Sequence, residues 1–136
     1  PEIGSISAKV PPIVFLTSNN TREMGDALKR RCLHLYIPFP DEKTERRIVQ
    51  ARVPELSDSL RRQLVGFVHA LREEELKKLP AISETIDWAR TLLLLNVTEL
   101  DVPTVRRTLN VLLKFEEDVT GVDKNLFKMV STAKRA

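Results

Sequence analysis

Residues 13–32 read IVFLTSNNTREMGDALKRRC, an apolar run followed by polar amides and then a short segment that ends in two arginines. The run at 13–16 places β-branched and aromatic side chains at successive positions, which is typical of a strand buried on both faces. Residues 17–20 would then lie at the carboxyl end of that strand, where open α/β sheets bind their ligands. The stretch therefore predicts a strand with a polar tip, followed by a one-turn helix that ends at Arg30 and Arg31.

A second strand is predicted over residues 33–37, LHLYI, because they alternate and include aromatic and β-branched side chains. The pattern becomes helical after residues 38–40, PFP. We therefore expect two domains. Residues 1–40 would be a two-strand edge of an α/β core, and residues 41–136 a helical bundle of about five helices, which makes the fold mainly α.

Capping residues and apolar spacing place the five predicted helices. They begin at Asp41, at Ser57 or Ser59, after Pro80 with Ser83 as a possible cap, at Asp101 with Pro103 near the first position, and at Gly121. The third helix has the most apolar body, so we expect it at the centre of the bundle. The last helix would run to about Ala133 with Leu126, Phe127 and Val130 facing inward.

Composition excludes several classes of protein. Hydrophobic residues make up 42% and charged residues 30% of the 136 positions, and no apolar run approaches the length of roughly 18 residues that spans a bilayer. Cys32 is the sole cysteine, which excludes an intramolecular disulfide and favours a reducing, cytoplasmic setting. No Cys, His and acid cluster has zinc-ligand spacing, so no metal site is expected within these residues.

The charge pattern does not favour nucleic acid as a partner. The net charge is +3, but basic and acidic residues are interspersed along most of the chain without a basic arm. The first residue is Pro1 rather than Met, and no signal peptide is present. We therefore expect a fragment whose natural N-terminal part is missing.

The order of the segments resembles the AAA+ ATPases, in particular the second half of the MoxR-type branch. The similar parts occur in the family's order: IVFLTSN at 13–19, ALKRRC at 27–32, a strand, and PFPD at 38–41 before a helical lid. The later ETIDWAR at 84–90 is similar to the MoxR-type subset associated with carbon monoxide dehydrogenase maturation. The resemblance covers nearly the whole chain.

The resemblance implies roles for four residues. Asn19 matches the sensor 1 position, whose side chain meets the γ-phosphate and the attacking water. Arg31, with Arg30 beside it, matches the arginine finger that reaches a neighbouring subunit's nucleotide. Arg90 is a candidate for contact with the nucleotide from the lid, although the sensor 2 position itself falls at residues 84–85, which are not arginines. Phosphoryl transfer needs positioned water and neutralised charge, which an amide and a guanidinium supply.

Each of these residues also has a simpler interpretation. Asn19 could turn the chain at the end of a strand. Arg30 and Arg31 could be solvated cations that complement the dipole of a short helix, and Arg90 could be a surface residue. Trp88 is expected in the core or at a contact between subunits.

The resemblance further implies that the full-length protein is an ATPase that uses ATP and Mg²⁺. It would form a ring of neighbouring copies, expected to be a hexamer, with a von Willebrand factor A domain protein and a metalloenzyme client as partners. Residues 1–136 contain no Gly-x-x-x-x-Gly-Lys-Ser/Thr loop, so we expect this fragment alone to bind no cofactor and to be inactive. The alternatives are a non-enzymatic helical interaction module and a fragment of a DNA-acting AAA+ protein.

Overall fold

The computed structural model describes residues 7–18 and 25–135, and within these ranges the chain is mainly helical. Its helices are α1 (Asp26–Lys29), α2 (Glu42–Arg52), α3 (Asp58–Arg72), α4 (Ile82–Leu94), α5 (Val102–Leu112), α6 (Glu116–Asp123) and α7 (Leu126–Arg135). The chain divides into two units, Pro1–Ile37 and Pro38–Ala136. The second is called the helical unit below.

The predicted two-strand edge is not seen: neither 13–17 nor 33–37 is a strand, and the described residues contain no strand at all. Their large apolar side chains are exposed, for example 87% for Phe15 and 82% for Leu35. A strand needs hydrogen bonds from a neighbouring strand, and two short segments alone bury no core. The predicted one-turn helix before the arginines is confirmed as α1.

Polar caps begin three of the long helices as predicted. The side chains of Asp41, Ser57 and Asp101 accept hydrogen bonds from backbone N–H groups in the first turns of α2, α3 and α5, respectively. Ser83 is not a cap, because α4 begins at Ile82 after Ala81. The Glu84 carboxylate instead accepts a hydrogen bond from the Ala81 N–H at 3.1 Å, so it satisfies a backbone group at the start of the helix.

The core of the helical unit is built around α3, which packs against α2, α4 and α7. Trp88 is buried there, which confirms the first of its two predicted positions, the core, rather than a contact between subunits. Its ring centroid lies 5.3 Å from that of Phe67, and its Nε1 donates a hydrogen bond to Thr108 Oγ1 at 2.8 Å. The fully buried large apolar side chains come from every helix from α2 to α5 and from α7; they include Val49, Leu60, Leu64, Phe67, Leu71, Trp88, Leu92, Leu109, Leu112 and Leu126.

The expectation that α4 is the central helix is wrong. Helix α3 has eight buried residues, whereas α4 has four, and Leu94 at the end of α4 is 82% exposed. The helix ends there because Asn96 adopts a left-handed φ of 53°, and the N–H of Val97 bonds back to the Leu92 carbonyl at 3.0 Å. This turn directs the chain away from the core, so Leu92 is buried whereas Leu94 and Leu95 are exposed.

The last predicted helix is also corrected, because two helices, α6 and α7, occupy the region from Glu116 onward. Among its described residues the helical unit has six helices, where about five were predicted. Leu126, Met129, Val130 and Ala133 are the buried residues of α7, at spacings of three and four. Phe127 lies one position, or about 100°, away from Leu126 and is 77% exposed, so its predicted inward orientation is wrong.

Candidate functional site

Arg30 and Arg31 lie directly after α1 in the first unit. Their backbone N–H groups donate to the carbonyls of Asp26 and Leu28, at 3.0 and 3.1 Å, so the turn of helix fixes their main chain. Both residues are exposed, and neither forms an ion pair with any residue that the structure describes. Two consecutive arginines thus follow a turn of helix with exposed side chains that an anion can reach.

Asn19, the predicted sensor 1 residue, lies outside the described residues. Its predicted role therefore stays a prediction. Residues 15–18, which precede it, are exposed and belong to no helix or strand.

Arg90 belongs to the helical unit, on the exposed side of α4. Its Nη1 lies 3.5 Å from Asp87 Oδ1, one helical turn earlier, and about half of its side chain is in solvent. A solvated ion pair of this kind has little stabilising effect. Arg90 is therefore free to exchange Asp87 for another anion.

The helical unit contains a buried polar site that sequence reasoning missed. We call Glu45, His69, Arg72 and Thr85 the Glu45 cluster. Arg72 donates two hydrogen bonds to the Glu45 carboxylate, from Nη1 to Oε2 at 2.6 Å and from Nη2 to Oε1 at 2.9 Å. Thr85 Oγ1 donates to Oε1 at 2.8 Å, and His69 Nε2 lies 2.9 Å from Oε2. The cluster joins α2, α3 and α4.

Glu45 is completely buried, which makes its charge costly unless it is paired. Burial raises the pKa of this carboxyl. The hydrogen bonds from Arg72 and Thr85 and the positive charge of Arg72 outweigh that effect, so the pKa lies below its ordinary value. Glu45 is therefore an anion in the folded protein.

The geometry of the cluster indicates a structural role. A carboxylate has about four lone-pair positions, and the four contacts to Glu45 occupy them. No position is left for a metal ion or for a proton from a substrate. The cluster links α2, α3 and α4 through the Glu45 carboxylate.

Thr85 and Glu84 occupy the place at which the resemblance puts sensor 2. Thr85 is buried and bonded to Glu45, while Glu84 accepts hydrogen bonds from Ala81 N–H and from the Ser83 hydroxyl. Both side chains are thus used within the helical unit. Of the predicted lid residues, Arg90 is the one that remains exposed and cationic.

The signal for the cluster was present in the sequence but weak. Glu45 precedes Val49 by one helical turn and therefore shares its buried face. An acidic residue in the first turn of a helix, however, also interacts favourably with the helix dipole, so its presence there does not by itself indicate a buried site. His69 and Arg72 lie three residues apart on α3, and Thr85 lies on another helix. Only the tertiary structure brings the four together.

The described residues offer neither a metal site nor a membrane span. No group of three or more His, Cys, Asp and Glu side chains there could hold a metal ion. None of the described helices combines the length and the apolar character that crossing a membrane requires.

Arg30 and Arg31 in the first unit and Arg90 in the helical unit are thus the exposed cations among the predicted site residues, and the Glu45 cluster is the buried polar feature. Comparisons of the chain with protein-family models, with curated proteins and with solved structures found no match.

Proposed function

We propose that the chain is the sensor 1, arginine-finger and lid portion of a MoxR-type AAA+ ATPase that acts as a chaperone or in metalloenzyme maturation. The observation that carries the proposal is the pair Arg30 and Arg31, exposed and without an ion pair among the described residues. An arginine that completes another subunit's site must be uncommitted within its own chain. In this proposal Arg31, assisted by Arg30, neutralises charge on the transferred phosphoryl group.

The apolar segments at 13–16 and 33–37 also support the proposal. Side chains on both faces of these segments are exposed in the described chain. Strands covered on both faces are typical of parallel sheets in α/β proteins, so the segments suit the interior of a larger sheet. The remaining strands, the phosphate loop and the Mg²⁺ ligands would come from another part of the full-length protein.

The experiment is ATP hydrolysis by the full-length protein with Arg31→Ala and Arg30→Ala made separately. Each variant is also mixed with a subunit that cannot bind ATP. Loss of a finger should lower turnover by about a thousandfold or more while nucleotide binding is kept. Arg47→Ala is the matched control, since Arg47 is an exposed arginine of α2 that forms no ion pair with any described residue.

Two results would contradict the proposal at different points. Turnover that neither arginine change reduces would refute the finger. A full-length protein that neither binds nor hydrolyses ATP would refute the ATPase as a whole. Asn19→Ala should reduce turnover more than binding, and loss of binding alone would argue against a role in positioning water.

A non-enzymatic helical interaction module is the second candidate. It is favoured by the exposure of Leu94 and Phe127 on a helical unit that has its own core. In that case Arg30 and Arg31 would contact a protein partner, and the same variants would weaken that contact without any effect of ATP.

A further inference from the structure

The segment that leads into α2 is in contact with the middle of the helical unit. The guanidinium carbon of Arg72 lies 4.5 Å from the ring centroid of Phe39, which is the geometry of a cation–π contact. Phe39 is 45% exposed, so one side of its ring faces solvent. Its contact with Arg72 therefore does not form part of the apolar core.

Arg72 is a rigid support for this ring because hydrogen bonds fix its plane. Nε donates to the Pro80 carbonyl at 2.9 Å, and the two terminal nitrogens donate to Glu45. Only 7% of the Arg72 side chain is exposed. A planar guanidinium held on three sides has one orientation, so its face is a preorganised surface for Phe39.

The lead-in itself has little freedom. Pro38 and Pro40 flank Phe39 and restrict its backbone on both sides. Asp41, the next residue, is bound to α2 through the hydrogen bond from Thr44 N–H to Oδ1 at 2.7 Å. A single contact at Phe39 is therefore sufficient to fix residues 38–41.

We propose that Arg72 and Phe39 form a latch that holds residues 38–41 against the helical unit. With the latch closed, the helical unit begins at Pro38, in agreement with the boundary between the two units at Ile37 and Pro38. With the latch open, the ordered helical unit begins at Asp41, the cap of α2. The latch thus decides whether the ordered helical unit begins at residue 38 or at residue 41, and it does so independently of ATP hydrolysis.

The experiment is ¹⁵N NMR relaxation of the full 136-residue chain. In the wild type, the order parameter of the Phe39 amide should be about 0.85, equal to that of the helices. Phe39→Ala should lower the order parameter at residue 39 below about 0.6 and leave the amides of α5 and α7 unchanged. The Arg72 Nε–H signal should be displaced upfield by the ring face in the wild type and should lose that displacement in Phe39→Ala.

Two comparisons complete the experiment. Phe127→Ala also removes an exposed phenylalanine, and it should leave both signals unchanged. Arg72→Lys keeps the charge but loses the planar fork, so it should release residue 39 as well. The latch is refuted if the wild-type amide already has an order parameter below about 0.6, or if Phe39→Ala does not lower it. If Arg72→Lys prevents folding, the Phe39→Ala result alone decides whether the latch exists.

Discussion

Replacement of Arg72 by methionine tests whether the Glu45 cluster holds the helical unit together. The change removes two of the four contacts to Glu45 and leaves the buried carboxylate with Thr85 and His69. Each hydrogen bond to a charged group contributes about 1.5–3 kcal/mol. His69 remains as a partner, so we expect the low end of the sum, a loss of about 3 kcal/mol in the free energy of unfolding. For a unit of this size, that corresponds to a fall in Tm of about 12–24 °C.

The assay is urea denaturation followed by circular dichroism, with the slope of the transition compared between variants. Arg46→Met is the matched control, because Arg46 forms an ion pair with Glu42 at 3.5 Å in the same helix and both side chains are about one-third exposed. That pair should contribute no more than about 0.5 kcal/mol. A loss below about 1 kcal/mol for Arg72→Met would refute the argument that Glu45 depends on Arg72.

A double replacement separates the value of the ion pair from the cost of an unpaired charge. Glu45→Met combined with Arg72→Met removes both charges and retains apolar volume. The Thr85 hydroxyl, which loses Glu45 as its acceptor, can donate instead to the Ala81 carbonyl at 3.3 Å. The double variant should be more stable than Arg72→Met alone, because a buried carboxylate that has lost its arginine costs more than the loss of both charges. If the losses of the single variants Glu45→Met and Arg72→Met add up to the loss of the double variant, the charge of Glu45 is not the cause of the instability of Arg72→Met.

Two further predictions concern pH and the phase of α7. The pKa of Glu45 is lowered in the folded state, so the ionised carboxylate stabilises the fold above the ordinary pKa of 4.5, and this effect is lost as the pH falls through the folded pKa. The difference in unfolding free energy between wild type and Glu45→Gln should therefore shrink below about pH 4.5 in urea titrations. A difference that stays constant with pH would contradict this prediction. Leu126→Ala should cost about 2–5 kcal/mol because the side chain is fully buried, whereas the neighbouring Phe127→Ser should change stability by less than about 0.5 kcal/mol; equal losses in denaturation would show that the phase of α7 is wrong.

The sequence predicts the helices best where a local signal and the tertiary structure agree. Asp41, Ser57 and Asp101 cap helices because each satisfies backbone groups within three residues, which is a local interaction. The phase of α7 was less predictable. Leu126 and Phe127 are both apolar, and the last helix was predicted to begin at Gly121, five residues before α7 does. The sequence therefore gave no reason to decide which of the two side chains faces the core.

Features that depend on distant residues were not predictable. Glu45, on α2, is buried only because Arg72 and Thr85 arrive from α3 and α4, so no short window of sequence contains the reason. The prediction of strands at 13–17 and 33–37 was wrong because a strand also depends on distant residues. Their composition is suitable for a sheet, but pairing is a property of neighbours, and the described chain supplies none.

The buried cluster also narrows how the proposed lid could contact a nucleotide. Thr85 and Glu84 are engaged within the helical unit, and Arg72 has its donors on Glu45 and Pro80. Releasing Arg72 toward a ligand would leave the Glu45 carboxylate buried with one fewer cation, a cost of several kcal/mol that a surface arginine does not incur. Arg90 exchanges only a half-exposed pair with Asp87. If the lid contacts a phosphate at all, the energetic argument therefore favours Arg90, and Arg90→Ala should weaken nucleotide binding by the full-length protein without changing the stability of the helical unit.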